Sequence, residues 1–376
     1  MLTPTTSPKT PLWLDCDPGH DDVFAILLAA YHPGFDLLGI STVFGNAPLE
    51  CTTRNAASVL TAIGKHNEIP LYPGASKAMA RPTMHPPTGI HGKTGLDGTE
   101  LLPNPRSSPR WEEDAVEAMA TALLAQPPGT AFLVATGSLT NVAILFRDYP
   151  HVISHIKGFS MMGCAFGGFT DISLGSVLDP MRIGNYSQWA EFNILADPEA
   201  AALIFNNKDL AAKTTVIPLD LTHQVLATKE VRDRLLYGVG GNSSGSGKST
   251  LRQMLVELLM FFADTYADVY QITAGPPLHD PLAVAVALIG TEYQIDFHEF
   301  TEASDSKQKE RFSISIETNG SYEEAVAGAK KTGMSVQTKL PAGSKGVRIP
   351  RSLDISKFWT VLEECFQRAD KVIANL

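Results

Sequence analysis

Short apolar runs rich in β-branched residues alternate along this chain with longer apolar stretches of helical period. Strands are predicted over residues 11–15, 36–44, 69–72, 130–136, 156–162 and 214–218. Helices are predicted over 22–31, 49–64, 111–125, 139–146, 197–206, 251–269, 281–289 and 355–374, with two more strands around a polar turn over 312–338. Alternation of this kind folds as a mostly parallel sheet covered on both faces. The expected class is α/β: an open, mixed but mainly parallel sheet flanked by helices. With 44% of residues apolar and 19% charged, there is enough apolar side chain for one large core. Three stretches interrupt the rhythm: 76–110, rich in Pro, Gly, Thr and His; the Gly-rich 166–189; and a Gly/Ser tract at 238–250. None separates two self-contained cores. Residues 11–376 therefore read as one domain with insertions, after a flexible tail over 1–10.

Charge and cysteine usage exclude several classes. Thirty basic residues stand against forty acidic ones, a net charge of −10, with no long basic run. No nucleic-acid partner is expected. The first residues are polar and lack the apolar segment of a signal peptide, and no apolar run is long enough to span a bilayer. Cys16, Cys51, Cys164 and Cys365 are scattered without zinc or redox spacing. The expectation is a cytoplasmic protein with reduced thiols and no membrane partner.

The chemistry concentrates in Trp13-Leu14-Asp15-Cys16-Asp17-Pro18-Gly19-His20-Asp21-Asp22. Four carboxylates crowd between a strand and a buried helix, and Pro18-Gly19 turns the chain sharply. Asp15 and Asp17, two apart, are expected to point the same way from a strand end. Asp21 and Asp22 fall at a helix start, where the dipole favours negative charge. Such crowding is repulsive unless a cation joins the groups, and oxygen ligands alone favour Ca²⁺ or Mg²⁺. A helix cap needs one Asp, not four. An EF-hand would place His20 at the glycine position and Ile26 at the bidentate glutamate position. A phosphatase with an Asp nucleophile on a D-x-D loop wants a hydroxyl residue and a lysine nearby, which Pro18-Gly19-His20 does not supply.

This segment resembles the D-x-D-P-G-x-D-D signature of the inosine-uridine-preferring nucleoside hydrolases. The resemblance continues through Phe44-Gly45-Asn46, Val134 to Asn141, Met161-Met162-Gly163, Ala190 to Ile194 with Asp197 to Ala201, and Leu278 to Ala283. It implies that family's open sheet with a Rossmann-like core, and Ca²⁺-dependent hydrolysis of ribonucleosides to ribose and free base, in nucleoside salvage. It also implies roles. Asp17, Asp22, Asp280 and the carbonyl of Thr136 would hold one Ca²⁺, with Asp17 also the general base. Asp21, Asn193 and Asp280 would bind the ribose diol, with Asn46 beside them. Asn185 and Glu191 would grip the 5′-hydroxyl, Met162 would pack near the sugar, and His279 would protonate the leaving base. His91 resembles the family's mobile lid and reads equally as a surface histidine. His279 before Asp280 points to uridine first and inosine second. Family members are commonly dimers or tetramers, so a homo-oligomer is expected. A metal-dependent phosphatase and a catalytically impaired family member are the alternatives.

Other signals carry less. Asn242 to Ser249 looks like a phosphate loop, but its required first glycine is Asn242 and no strand precedes it. Tyr266 and Tyr270 lie one helical turn apart, as core or as groups closing over the base. Trp111 and Trp189 read as structural.

Overall fold

The computed structural model describes residues 8–84, 88–106, 108–241, 247–300 and 309–375. Most of the expected tail and most of the Asn242-to-Ser249 run lie outside these.

Six strands form the central sheet: β1 Thr10–Cys16, β2 Phe35–Thr42, β3 Leu71–Pro73, β4 Phe132–Ala135, β5 Gly158–Met162 and β6 Thr214–Ile217. Their order is β3-β2-β1-β4-β5-β6, and every neighbouring pair is parallel. The sheet is thus not mixed, as the sequence had suggested. Among the described residues, antiparallel strand pairs form two separate ribbons, β7 Phe297–His298 with β10 Ser352–Leu353, and β8 Phe312–Ile316 with β9 Ser335–Lys339, and single antiparallel bridges join Leu226 to Pro277 and Phe312 to Val347. The connection between β8 and β9 is more than a polar turn: it holds a short helix, Tyr322–Val326, started by a Ser321/Glu324 capping box.

β1 is buried along its whole length. Leu12, Leu14 and Cys16 face one core with the helices Asp22–Tyr31, Leu49–Ala62, Asp280–Val286 and Ile355–Ile373. Trp13 faces the other core with Ala115–Leu124, Thr140–Asp148 and Pro198–Phe205. A strand buried on both faces reads as a continuous apolar run, as β1 does. Crossovers run one way from β1 to β2 and β3, and the other way from β1 to β4, β5 and β6. The carboxyl ends of β1 and β4 therefore part to leave a crevice, the place where open α/β sheets bind ligands.

Two expected helices differ in extent. The one predicted to open at Trp111 begins at Ala115, because the Asp114 side chain accepts from the N–H groups of Val116 and Glu117. Trp111 is left half exposed. The stretch expected as one helix over 251–269 is two, Thr250–Phe261 and Ala263–Tyr270, broken at Phe262 (φ −97°, ψ 0°).

Candidate active site

The crevice opens into a cavity of about 580 Å³. Every expected site residue lines it except Asp17 and Asp22, which are fully buried.

The floor is built from strand ends. Asp17 follows β1 and is fully buried. Its Oδ2 accepts the N–H of Asn46 at 2.7 Å, while Oδ1 has no hydrogen-bond donor among the described residues. Gly45 and Gly137, just after β2 and β4, leave room for it. A methyl group on Gly45 would come within 1.9 Å of Oδ2, and one on Gly137 within 2.6 Å of Oδ1. Asp22 starts the first helix. Its Oδ2 accepts from Gly19 N–H at 2.9 Å and its Oδ1 from the Thr136 hydroxyl at 2.7 Å. Asp280 starts the helix Asp280–Val286, with Pro281 in its first turn. Asp21, Asp22 and Asp280 each place an oxygen within 4.8 Å of the others. The gathered trio is therefore Asp21, Asp22 and Asp280, with Asp17 beside it.

Asp15 behaves differently from the expectation that it would point with Asp17. Its Oδ1 accepts from Ser41 Oγ at 2.5 Å and Asn141 Nδ2 at 2.8 Å, on the sheet face that carries Trp13. It serves as a buried brace between β1, β2 and the helix Thr140–Asp148.

Burial and mutual repulsion shape the electrostatics. Burial lifts Asp17 well above the usual carboxylate range, and the charge of Asp22 adds to it. Burial likewise raises Asp21 and lifts Asp280 far up, and it pushes Asp22 to about 7. Crowded carboxylates of this kind hold either protons or a cation. The donor set fits a hard divalent ion: buried oxygens, no sulfur or imidazole among them, and an Asp17 oxygen lacking a donor.

The walls come from other elements. Asn193, in the first turn of the helix Phe192–Ala196, donates its amide to the carbonyl of Thr136 at 2.9 Å and to that of Met162 at 3.3 Å. Glu191 is not on a solvated strand face. It is buried and caps this helix, accepting from the N–H groups of Asn193 and Ile194, and also from that of Cys164. Burial raises it to about 7. Asn46 Nδ2 donates to the Asp17 carbonyl at 3.1 Å. Asn185, within the 166–189 insertion, accepts the N–H of Phe192 at 2.9 Å through its side chain. Its carbonyl accepts the Tyr270 hydroxyl.

Another part of the lining is aromatic. Phe262, the residue at the helix break, lines it with Tyr266, His279, Ile90 and His91. His279 Nε2 lies 2.8 Å from the Tyr266 hydroxyl, and Nδ1 lies 2.7 Å from Thr222 Oγ1. Burial holds His279 neutral, well below the ordinary imidazole value. His91 is placed at the cavity, against His20, rather than free on the surface. Two partners were not foreseen as site residues. Thr222 gave no local signal, and His20 sat inside the signature as its variable position. Tyr266, read with Tyr270 as core or as a group closing over the base, lines the cavity.

No Lys or Arg is among the described residues lining this cavity. It can bind a neutral polar molecule, stabilise positive charge against its carboxylate floor, and pass a proton along its aromatic end.

Residues 12–360 match the family described as inosine-uridine preferring nucleoside hydrolase. A uridine nucleosidase of Saccharomyces cerevisiae is 39% identical over 369 residues, 98% of each chain. An inosine-uridine preferring nucleoside hydrolase of Leishmania major is 33% identical over 94% of this chain and 96% of its own. A purine-preferring ribonucleoside hydrolase from Gardnerella vaginalis shares the fold, with a TM-score of 0.73 at 24% identity over 96% of this chain and 99% of that one. With a carboxylate crevice at the reversal of strand order and a profile match along almost its full length, this chain belongs to the inosine-uridine preferring nucleoside hydrolase family.

Proposed function

We propose that the chain hydrolyses the N-glycosidic bond of ribonucleosides, uridine first and inosine next, releasing ribose and free base with the help of one Ca²⁺. The family supports hydrolysis at an N-glycosyl bond. The observation that carries the reading is the presence, within one cavity, of both a carboxylate cluster and a neutral His279–Tyr266 pair. Breaking the bond leaves positive charge on the sugar and negative charge on the base. The carboxylates suit the first charge and the His279–Tyr266 pair the second.

Asp17 is the general base, taking the proton from the attacking water. Ca²⁺ would be held by Asp17, Asp22, Asp280 and the Thr136 carbonyl, with Asp21 beside them. When bound, it neutralises the crowded carboxylates and lends Lewis-acid charge that eases deprotonation of water. Asp21, Asn193 and Asp280 orient the ribose diol, with Asn46 next to them. Asn185 and Glu191 hold the 5′-hydroxyl, and Met162 packs against the ring. His279 and Tyr266 supply the proton to the departing base. His279 is neutral in the free site, so it must first take up a proton from solvent; the negative charge growing on the base favours that imidazolium, which then gives the proton to the base nitrogen and returns to neutral.

The phosphatase alternative has little support, since a phosphoryl group would meet carboxylates and no cationic side chain among the described lining residues. We further propose a cytoplasmic homo-oligomer. The buried thiols Cys16, Cys164 and Cys365 are unpaired, and no helix among the described residues is long and apolar enough to cross a membrane. Leu178 (96% exposed) and Met181 (74%) on the 166–189 insertion present apolar surface of the kind that subunit contacts cover.

A reducing-sugar assay on uridine and inosine tests the reading. Ribose should appear without phosphate release, disappear with a strong chelator and return with Ca²⁺. Absence of ribose release from every nucleoside would leave only an impaired binding protein.

A further inference from the structure

We propose that Tyr186 contacts the substrate's 5′ group, so that nucleosides carrying a neutral apolar substituent at C5′, such as an alkylthio group, are also held and hydrolysed. This rests on the nucleoside-hydrolysing reading, in which Asn185 and Glu191 hold the 5′-hydroxyl, and it widens the substrate class of that same site.

The 166–189 insertion ends in a tight loop that presents Asn185 and Tyr186 together. The N–H groups of Ile183 and Gly184 both donate to the Gln188 carbonyl, at 2.9 and 3.2 Å. Gly184 passes so close to the returning chain that a methyl group on it would come within 2.1 Å of the Ala190 carbonyl oxygen. The Asn185 carbonyl accepts from the Arg182 guanidinium at 2.8 Å and from the Tyr270 hydroxyl at 3.0 Å. The Asn185 side chain accepts the Phe192 N–H at 2.9 Å. A loop tied at so many points holds its side chains in place before a ligand arrives.

Asn185, Tyr186, Glu191 and Phe192 all line the cavity. The Tyr186 ring meets the edge of Phe192, with centroids 5.6 Å apart and planes at 63°. It stacks on Tyr322 at 5.8 Å and 26°. Tyr322 opens the short helix Tyr322–Val326, which backs the loop from outside. Phe192 directly follows Glu191, and its N–H is the group that Asn185 holds. The aromatic patch is therefore continuous with the two residues assigned to the 5′-hydroxyl. Phe192 is buried, whereas Tyr186 and Tyr322 are half-buried. The patch thus leads from the cavity lining towards solvent and gives a longer C5′ substituent a surface to lie on.

Chemistry selects that substituent. A phosphate would meet the Glu191 carboxylate, with no Lys or Arg among the described lining residues to offset it. A thioether carries no charge, and its sulfur and methyl group gain from burial and from contact with an aromatic ring. Tyr186 is the residue that sets specificity for such groups, and Tyr322 is its positioning residue.

Full-length protein with Ca²⁺ is assayed on 5′-deoxyuridine and 5′-deoxy-5′-methylthiouridine. Both lack the 5′-hydroxyl, so its loss cancels and the ratio of their kcat/KM values reads the methylthio contact. A ratio of about threefold or more in favour of the methylthio nucleoside is expected. Tyr186→Ala should bring it to about one, and Tyr186→Phe should keep it. Tyr322→Ala should lower it through KM rather than kcat, and Tyr322→Phe should restore it. A wild-type ratio of one or less, or a ratio unaltered in Tyr186→Ala, overturns the proposal. Should Tyr186→Ala fail to fold, the wild-type ratio and Tyr322→Ala decide. If no nucleoside is turned over, calorimetric titration with the same two compounds gives the ratio as dissociation constants. The expected preference then keeps the Tyr186 contact while the hydrolase reading falls. Equal affinities, or no binding of either compound, overturn the contact.

Discussion

Asp17 is buried, repelled by Asp22, and left with one oxygen lacking a donor among the described residues. A carboxylate so placed stays ionised only when positive charge offsets the repulsion, so its role as base and the presence of a cation stand together. Asp17→Asn keeps the acceptor for the Asn46 N–H and relieves repulsion. It should lower kcat by at least about 10³-fold with an unchanged melting temperature, read by reducing-sugar assay and calorimetry. Near-normal turnover would remove Asp17 from the base role. At the other end, Tyr266→Phe deletes the hydroxyl 2.8 Å from His279 Nε2. A fall in kcat of about 10- to 100-fold with little change in KM is expected, because the proton is needed only as the bond breaks. Steady-state kinetics on uridine check it, and a pure KM effect would recast Tyr266 as a binding group.

Strand ends, rather than single residues, set the accuracy of this site. The turns after β2 and β4 close on Asp17 so tightly that Gly45 and Gly137 tolerate no side chain there. Gly45→Ala should displace the Asp17 carboxyl, cost about 1–3 kcal/mol of stability, and reduce activity about as far as Asp17→Asn does. Denaturant titration with the ribose assay measures both, and a fully active Gly45→Ala protein would show that Asp17 can sit elsewhere. Much of this was legible in the chain. The acidic signature, the glycine-asparagine ending after β2 and the His279-Asp280-Pro281 helix start are local patterns, and local patterns place groups at element ends. What the chain concealed was long-range or depended on backbone detail. Asp15 was expected to point the same way as Asp17, because no local rule shows that Asn141 would claim it across 126 positions. The helix break at Phe262 lay inside a continuous apolar pattern. His20 acquired meaning only when His91, 71 positions away, came to rest against it.

For the molecule as a whole, burying so many ionisable groups ties stability to pH and to the cation. Burial pushes Asp15 and Asp22 from 3.8, and Glu191 from 4.5, to about 7. A raised folded-state value means that the native form holds the proton longer than the unfolded chain does, so stability falls as pH rises through 7. Burial lowers His20, His32 and His223 from 6.5 to about 4, and these subtract stability as pH falls below 6.5. As pH rises past 6.5 those histidines become neutral in both states, and the carboxylates then dominate the pH dependence. Cation-free protein should therefore melt at a lower temperature at pH 8 than at pH 6.5, and added Ca²⁺ should raise the melting temperature more at pH 8. Scanning calorimetry at the two pH values, with and without chelator, measures this; a Ca²⁺ effect equal at both would mean that the ion does not replace protons. The trio itself joins positions 21, 22 and 280. During synthesis, the ribosome must add more than two-thirds of the chain before the early aspartates meet their late partner. Until then the acidic loop lacks the third carboxylate of its trio, and a protein cut short before position 280 would be left without one wall of its own centre.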